Sequence, residues 1–214
     1  MAQISQSDVL LTLAYLMGER TVNQTTSVPR ADFIQQTLNE AYQAYPWRFA
    51  TANATLAITS GIATLPSNLD ISHQLYATYF SGDTEIRLEE IDPADKLDAN
   101  DGDHQTWLTA QSDGTFLLNT KDSTPTSVVV RHQTLAPVLD SGSTVLSPYP
   151  NKMTIALGAR RFVKLGQNPD ADIAQDEDLF AKRLAKDVAA HQVPSPRKQR
   201  RTRNTQTGNF TGSF

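Results

Sequence analysis

The sequence predicts an α+β fold, an antiparallel helical bundle built from the N- and C-terminal segments around an inserted antiparallel β region. In residues 1–49 and 148–192, apolar side chains recur at intervals of three and four, the spacing of helices that bury one face. Across residues 50–147, apolar and polar side chains alternate, the pattern of half-buried strands. Residues 193–214 follow neither pattern, and we expect them to form an extended basic arm.

The first two helices are marked by residues that begin and end helices. Ser5 can cap the first helix, and Gly18 can close it in the left-handed conformation. Ser27 can cap the second, Pro29 suits its first helical position, and Pro46 prevents its continuation. Because the loop between them is short, we expect the two helices to be antiparallel neighbours.

Three β-hairpins are predicted in the middle of the chain, each from two alternating segments around a turn. The turns lie at residues 60–61, 81–83 and 112–114, where glycine and aspartate favour a tight reversal. Residues 128–131 add a further predicted strand. Helical spacing then returns in residues 152–165 and 171–190. The predicted order is therefore two helices, a β region and two helices.

Charge is distributed unevenly along the chain. The formal net charge is −4, but the arm contains five basic residues and no acidic one, so removing its +5 leaves −9 on residues 1–193. The basic residues are Arg197, Lys198, Arg200, Arg201 and Arg203, and two large apolar residues, Phe210 and Phe214, follow them. We expect the acidic body and the basic arm to contact different surfaces, and the arm to become ordered on a partner.

Several classes of function are excluded by what the sequence lacks. The chain has no cysteine, which excludes disulfides and thiolate chemistry. It has neither a glycine-rich phosphate-binding loop nor a Gly-x-Ser-x-Gly motif. The longest apolar stretch, Val9 to Met17, is too short to span a bilayer and has no basic segment before it. We expect a soluble protein without enzymatic activity or cofactors, made in a cytoplasm.

Neither a metal site nor a catalytic site is predicted. The four histidines are scattered over different predicted elements, so we expect structural or surface roles for them. They are His73, His104, His132 and His191. Residues 98–103 are similar to a calcium loop, but Thr109 stands where the bidentate glutamate belongs. A solvated acidic face, rather than a catalytic pair, is expected from a cluster of carboxylates. These are Glu89, Glu90, Asp92 and Asp95.

The second helix ends in Tyr45-Pro46-Trp47-Arg48-Phe49, which we call the aromatic corner, with Trp47 and Phe49 as its structural residues. Two segments follow it, Ala54-Thr55-Leu56 and a segment from Ile62 to Pro66 that ends in Leu-Pro, and Pro148-Tyr149-Pro150 precedes the third helix. This order of motifs resembles the head-to-tail adaptor, or connector, proteins of tailed double-stranded DNA bacteriophages. The resemblance extends over roughly residues 31–191 by order of elements.

The resemblance implies a structural protein of the virion neck, without enzymatic activity. Its subunits would form a dodecameric ring between the portal protein and the tail tube, a nozzle or another neck protein, with the basic arm docked on the portal. The genome would pass through the ring during ejection without specific binding. Glu89, Glu90 and Asp92 would repel the DNA if they line the lumen.

Two other functions stay open. A nucleic-acid-binding protein would use the basic arm to contact phosphates, and five basic residues give a salt slope of up to about −4.5. The acidic body and the lack of aromatic residues within the basic run argue against it. A tail-completion protein or another neck protein would differ mainly in its position within the virion.

Overall fold

The computed structural model describes residues 4–19, 30–73, 75–92, 106–111, 113–120, 125–139, 144–145 and 149–192. The helices in these ranges are α1 (Gln6–Leu16), α2 (Arg30–Gln43), α3 (Lys152–Gln167) and α4 (Ala174–Gln192), and a 3₁₀ turn covers Arg48–Ala50. The strands are β1 (Ile4–Ser5), β2 (Thr51–Ala57), β3 (Ile62–Thr64), β4 (Tyr76–Ser81), β5 (Thr84–Glu90), β6 (Trp107–Ala110), β7 (Thr115–Asn119), β8 (Ser127–Gln133) and β9 (Thr144–Val145).

The start of α1 is fixed by a capping box. The Asp8 amide donates to the Ser5 hydroxyl at 3.2 Å, and the Ser5 amide donates to the Asp8 carboxylate at 3.2 Å. Hydrogen bonds from the Ser5 side chain and amide hold the pKa of Asp8 below its usual range. Gly18 follows the helix with a φ of +77°, a conformation in which glycine has no steric penalty. The predicted boundaries of this helix are confirmed.

The helical layer is centred on α3, which packs against α1, α2 and α4. Its core is built from buried apolar side chains of α1, α2, α3 and the segment that follows α2. They include Val9, Leu13, Ile34, Leu38, Trp47, Ile155, Ala156, Ala159 and Val163. Gly158 allows the helices to approach, because a Cβ there would overlap the Thr37 methyl group and lie 2.9 Å from the Phe180 ring.

Charged side chains inside this layer have partners. Arg30 pairs with Glu19 at 2.5 Å and thereby connects the start of α2 to the end of α1. Asp187 is buried and accepts hydrogen bonds from the Asn151 amide at 2.8 Å and from the Thr154 hydroxyl at 2.5 Å. These bonds fasten α4 to the first turn of α3. Three further ion pairs cross the layer, one between Arg161 and Glu40 and two that join Asp176 to Arg160 and Lys164.

The described strands of the β region form a seven-stranded sheet in the order β2-β8-β4-β5-β6-β7-β3. Its two edge strands, β2 and β3, follow one another in the chain and touch, so the sheet is nearly closed and barrel-like. The sheet is mixed, because β5 and β6 run parallel, with Glu89 opposite Trp107, while the other pairs are antiparallel. It encloses a second core of buried side chains that includes Leu88, Leu108, Phe116 and Val130.

The predicted fold, an antiparallel helical bundle with an inserted antiparallel β region, is therefore wrong. The chain is α+β, but the sheet is a mixed, barrel-like structure beside four helices and not an insertion made of separate hairpins. The predicted hairpin between β2 and β3 is also wrong, since only Thr59 and Ile62 bridge there. Instead β2 pairs with β8 from Thr51 opposite Gln133 to Ala57 opposite Ser127. Alternation identifies a strand but not a partner 70 or more residues away.

Two connections join the helical layer to the rest of the chain. Strand β1 pairs with β9, with Ile4 opposite Val145, which brings the start of α1 beside the segment before α3. Leu139 lies in the core of the helical layer, and its amide donates to the Gln35 side chain at 2.8 Å. In the described part of the chain, none of the helices has the length and apolar character needed to cross a membrane.

Candidate functional site

The aromatic corner lies where the helical layer meets the sheet. Pro46 follows the end of α2, and the chain then turns through the 3₁₀ turn Arg48–Ala50 into β2. Trp47 is fully buried, and its indole N–H donates to the Ala41 carbonyl at 2.9 Å. This bond ties the corner back to the last turn of α2. Phe49 lies beside Trp47, with ring centroids 5.6 Å apart, and remains partly exposed.

Two distant segments of the chain meet at the Trp47 ring. Tyr149, from the Pro-Tyr-Pro segment before α3, stacks on Trp47 with centroids 6.4 Å apart and an interplanar angle of 7°. His191, near the end of α4, meets Trp47 edge-on at 5.2 Å. The His191 ring also lies within 6.0 Å of Tyr45, Phe49 and Tyr149. The corner is thus a cluster of four aromatic rings around one histidine.

His191 is held in its neutral form. Its Nε2 accepts a hydrogen bond from the Arg48 amide at 3.1 Å, which requires an unprotonated nitrogen. Burial, and to a lesser extent the nearby Arg48 charge, lower the pKa of His191 below its ordinary value. The end of α4 is therefore attached to the corner by a bond that protonation would break.

A cleft of about 430 Å³ adjoins the corner. One wall comes from the corner and the start of β2, through Pro46, Arg48 and Thr51. The opposite walls come from His73 and Tyr76 at the start of β4, and from residues 131–133 at the end of β8. These elements meet because β8 is the neighbour of both β2 and β4 in the sheet.

The lining of the cleft carries two positive charges. They belong to Arg48 and Arg131, and the lining contains no carboxylate group. The nearest carboxylate to a lining histidine belongs to Asp70, which is buried, lies 3.9 Å from His73 Nε2 and accepts two hydrogen bonds from Ser72. Although the chain has a net charge of −4, this cleft is a local concentration of positive charge that attracts anions.

The structure places the other predicted residues in different ways. The arm residues Arg197, Lys198, Arg200, Arg201, Arg203, Phe210 and Phe214 lie outside the described residues, as do His104, Asp95 and residues 98–103. Glu89 and Glu90 are exposed at the end of β5, and Asp92 is exposed just beyond it. Among the described residues, no group of three histidines or acidic residues could hold a metal ion.

Sequence reasoning did not predict the cleft. His73 and His132 are expected to be structural or surface residues from their scattered positions, and Arg48 carries no signal beyond its place in the corner. The cleft is assembled by the pairing of β8 with β2 and β4, which no local pattern reveals. A sequence signal could come only from a correct prediction of that strand order.

Comparisons with known proteins leave the family open. No protein-family model matches the chain. A search of curated proteins finds no match either. The resemblance carried by the aromatic corner and the Pro-Tyr-Pro segment therefore stays a prediction.

Proposed function

We propose that the chain is a structural subunit of the neck of a tailed bacteriophage, a head-to-tail adaptor. In this proposal its copies form a dodecameric ring that bridges the portal protein and a tail or neck protein and allows the genome to pass. The subunit does no chemistry of its own. Its function consists of contacts with neighbouring copies beside it in the ring and with different proteins above and below it.

The observation that carries the proposal is that two sequence motifs pack against each other at the Trp47 side chain. The resemblance rests on the aromatic corner and on the Pro-Tyr-Pro segment, which are about 100 residues apart in the sequence. Trp47 and Tyr149 stack on each other, so the two motifs form one structural unit. This packing is what the proposal expects of two motifs that belong to one structural element.

Exposed apolar side chains at two separate places support assembly into a ring. A closed ring of identical subunits uses two different surfaces of each copy, one for each neighbour. Leu11 and Tyr15 lie one turn apart on α1, and Tyr15 is 64% exposed. Phe80 is 61% exposed beside the turn between β4 and β5. It lies four residues beyond Tyr76 along β4, about 13 Å from the cleft.

The basic arm begins after the last helix, at a place that is compatible with a separate contact to the portal. The last described residue, Gln192, follows His191, which is packed into the aromatic corner. The arm therefore starts from a fixed point at the junction of helices and sheet. We assign the portal contact to the basic residues 197–203 and to Phe210 and Phe214.

Deletion of residues 194–214 tests this assignment. The truncated chain should keep its thermal unfolding midpoint, because both hydrophobic cores are retained, but should no longer attach to portal-bearing heads lacking tails. A second variant replaces Phe210 and Phe214 by alanine and keeps all five charges. Weakened attachment in both variants is expected. Full attachment of the deletion variant would overturn the portal role of the arm.

The second candidate function, nucleic-acid binding, is favoured by the charge of the arm alone. The same deletion distinguishes it from the adaptor function. A DNA-binding protein would bind duplex DNA with a salt slope approaching about −4.5 and lose this binding with the arm. The adaptor proposal predicts weak binding with a shallower slope, because the −9 body repels DNA.

A further inference from the structure

The arginines that line the cleft differ from most arginines of the helical layer. Arg30, Arg160 and Arg161 each pair with a carboxylate inside the protein. Arg48 and Arg131 have no ion-pair partner among the residues that the structure places. These two exposed guanidinium groups lie on different walls of one cleft and can bind an anion together, because guanidinium groups bind oxyanions with two parallel hydrogen bonds.

His132 is the buried residue of the cleft wall. It is 3% exposed and forms part of the cleft wall. Its Nδ1 is buried without a hydrogen-bond partner in the described part of the chain, and its Nε2 makes only a long contact of 3.4 Å to the Asn68 side chain. Buried polar atoms are nearly always paired, so the Nδ1 atom has capacity for one further hydrogen bond.

The remaining lining residues supply polar and apolar groups, which suit a molecule that is only partly charged. Thr51 accepts a hydrogen bond from Gln133 at 3.0 Å, which connects β2 with β8 in the cleft wall. Tyr76 and Pro46 offer apolar surface. The Arg87 guanidinium stacks on the Tyr76 ring at 4.9 Å and adds a third positive charge near the cleft. A volume of about 430 Å³ falls in the range of small-molecule sites.

We propose that this cleft binds a phosphate-bearing small molecule, with Arg48 and Arg131 as the phosphate-binding residues. The Tyr76 ring forms the wall for the organic part of the ligand. The phosphate group is the shared chemistry of two sources, free inorganic phosphate and a phosphate ester such as a nucleoside monophosphate. The inference does not depend on the adaptor function, since the cleft belongs to a single copy of the chain.

Calorimetric titration of the full-length protein with inorganic phosphate and with adenosine monophosphate tests the proposal at constant ionic strength. Wild-type protein should bind at least one of them saturably. Arg48→Gln and Arg131→Gln should each weaken binding about tenfold or more, the effect of losing charge-assisted hydrogen bonds. The matched control is Lys186→Gln, which removes one charge from an exposed position of α4 and should bind as the wild type does.

Each outcome has a defined meaning. Tighter binding of the monophosphate, weakened by Tyr76→Ala, identifies an ester as the ligand, whereas equal binding of both probes identifies free phosphate. Absence of saturable binding of either probe overturns the proposal, and so does equal binding by the two arginine variants and the control. Tighter binding of a short DNA duplex that displaces both probes would also overturn it, because the site would then be a nucleic-acid surface. Unchanged unfolding midpoints of the variants ensure that lost binding is not lost folding.

Discussion

The close packing of α2, α3 and α4 at Gly158 depends on the absence of a Cβ atom at this position. The Cβ of an alanine would overlap the methyl group of Thr37 and lie 2.9 Å from the Phe180 ring. We predict that Gly158→Ala lowers the free energy of unfolding by about 1–3 kcal/mol, since overpacking outweighs the higher helix propensity of alanine. Denaturant unfolding of the wild type and the variant measures this difference in free energy. Thr37→Ser, which removes the overlapping methyl group, should restore part of the loss.

The control for Gly158 is in the same helix. Gly166 is exposed in the last turn of α3, so alanine there meets no packed core. Gly166→Ala should leave stability unchanged or raise it by up to about 1 kcal/mol. Equal destabilisation by the two substitutions would show that close packing at Gly158 is not the cause.

His191 makes the aromatic corner sensitive to pH. Because burial and Arg48 lower its pKa in the folded protein, the unfolded chain binds a proton more readily than the folded chain. Its contribution to stability is therefore complete above its ordinary pKa of 6.5 and is lost as the pH falls below that value. His191→Gln keeps an acceptor for the Arg48 amide but does not titrate.

The measurement is the free energy of unfolding at about pH 7.5 and at about pH 5.5, on either side of the ordinary histidine pKa. Wild-type protein should lose more stability between the two pH values than His191→Gln does. The other histidines are present in both proteins and cancel in the comparison. An identical pH dependence of the two would contradict the assignment of a neutral His191.

At the scale of elements, α4 is held to α3 by the side chain of Asp187. Asp187→Ala would leave the Asn151 amide and the Thr154 hydroxyl without their acceptor. Since an unsatisfied buried donor costs about 1–3 kcal/mol, we predict a loss of that order or larger in the free energy of unfolding. The control is Asp178→Ala on the same helix, where an exposed pair with Lys182 is removed at a cost of less than about 1 kcal/mol.

Element by element, the sequence predicts what depends on neighbouring residues. The capping box at Ser5 and the left-handed Gly18 are local, and the first helix is confirmed at both ends. The hairpins β4–β5 and β6–β7 are confirmed, because their turns bring adjacent segments together. Strand β2 was expected beside β3 and pairs with β8 instead, since long-range pairing is decided by the core of the sheet and not by a turn.

For the whole molecule, the same distinction explains what could be predicted of the candidate site. The aromatic corner is contiguous in the sequence, so its residues are visible as a motif. The packing of Tyr149 and His191 on Trp47 joins three separate segments and needs the fold. The cleft depends on the strand order, and its arginines and histidines have no spacing that would reveal them.

The central claim is that the chain is a stoichiometric component of a phage neck. Quantitative mass spectrometry of purified virions, with copies of this chain compared with copies of the portal protein, tests it most directly. The adaptor function predicts a ratio near one, because both proteins would form rings of the same size. Absence of the chain from virions would contradict the claim and would make nucleic-acid binding by the basic arm the leading alternative.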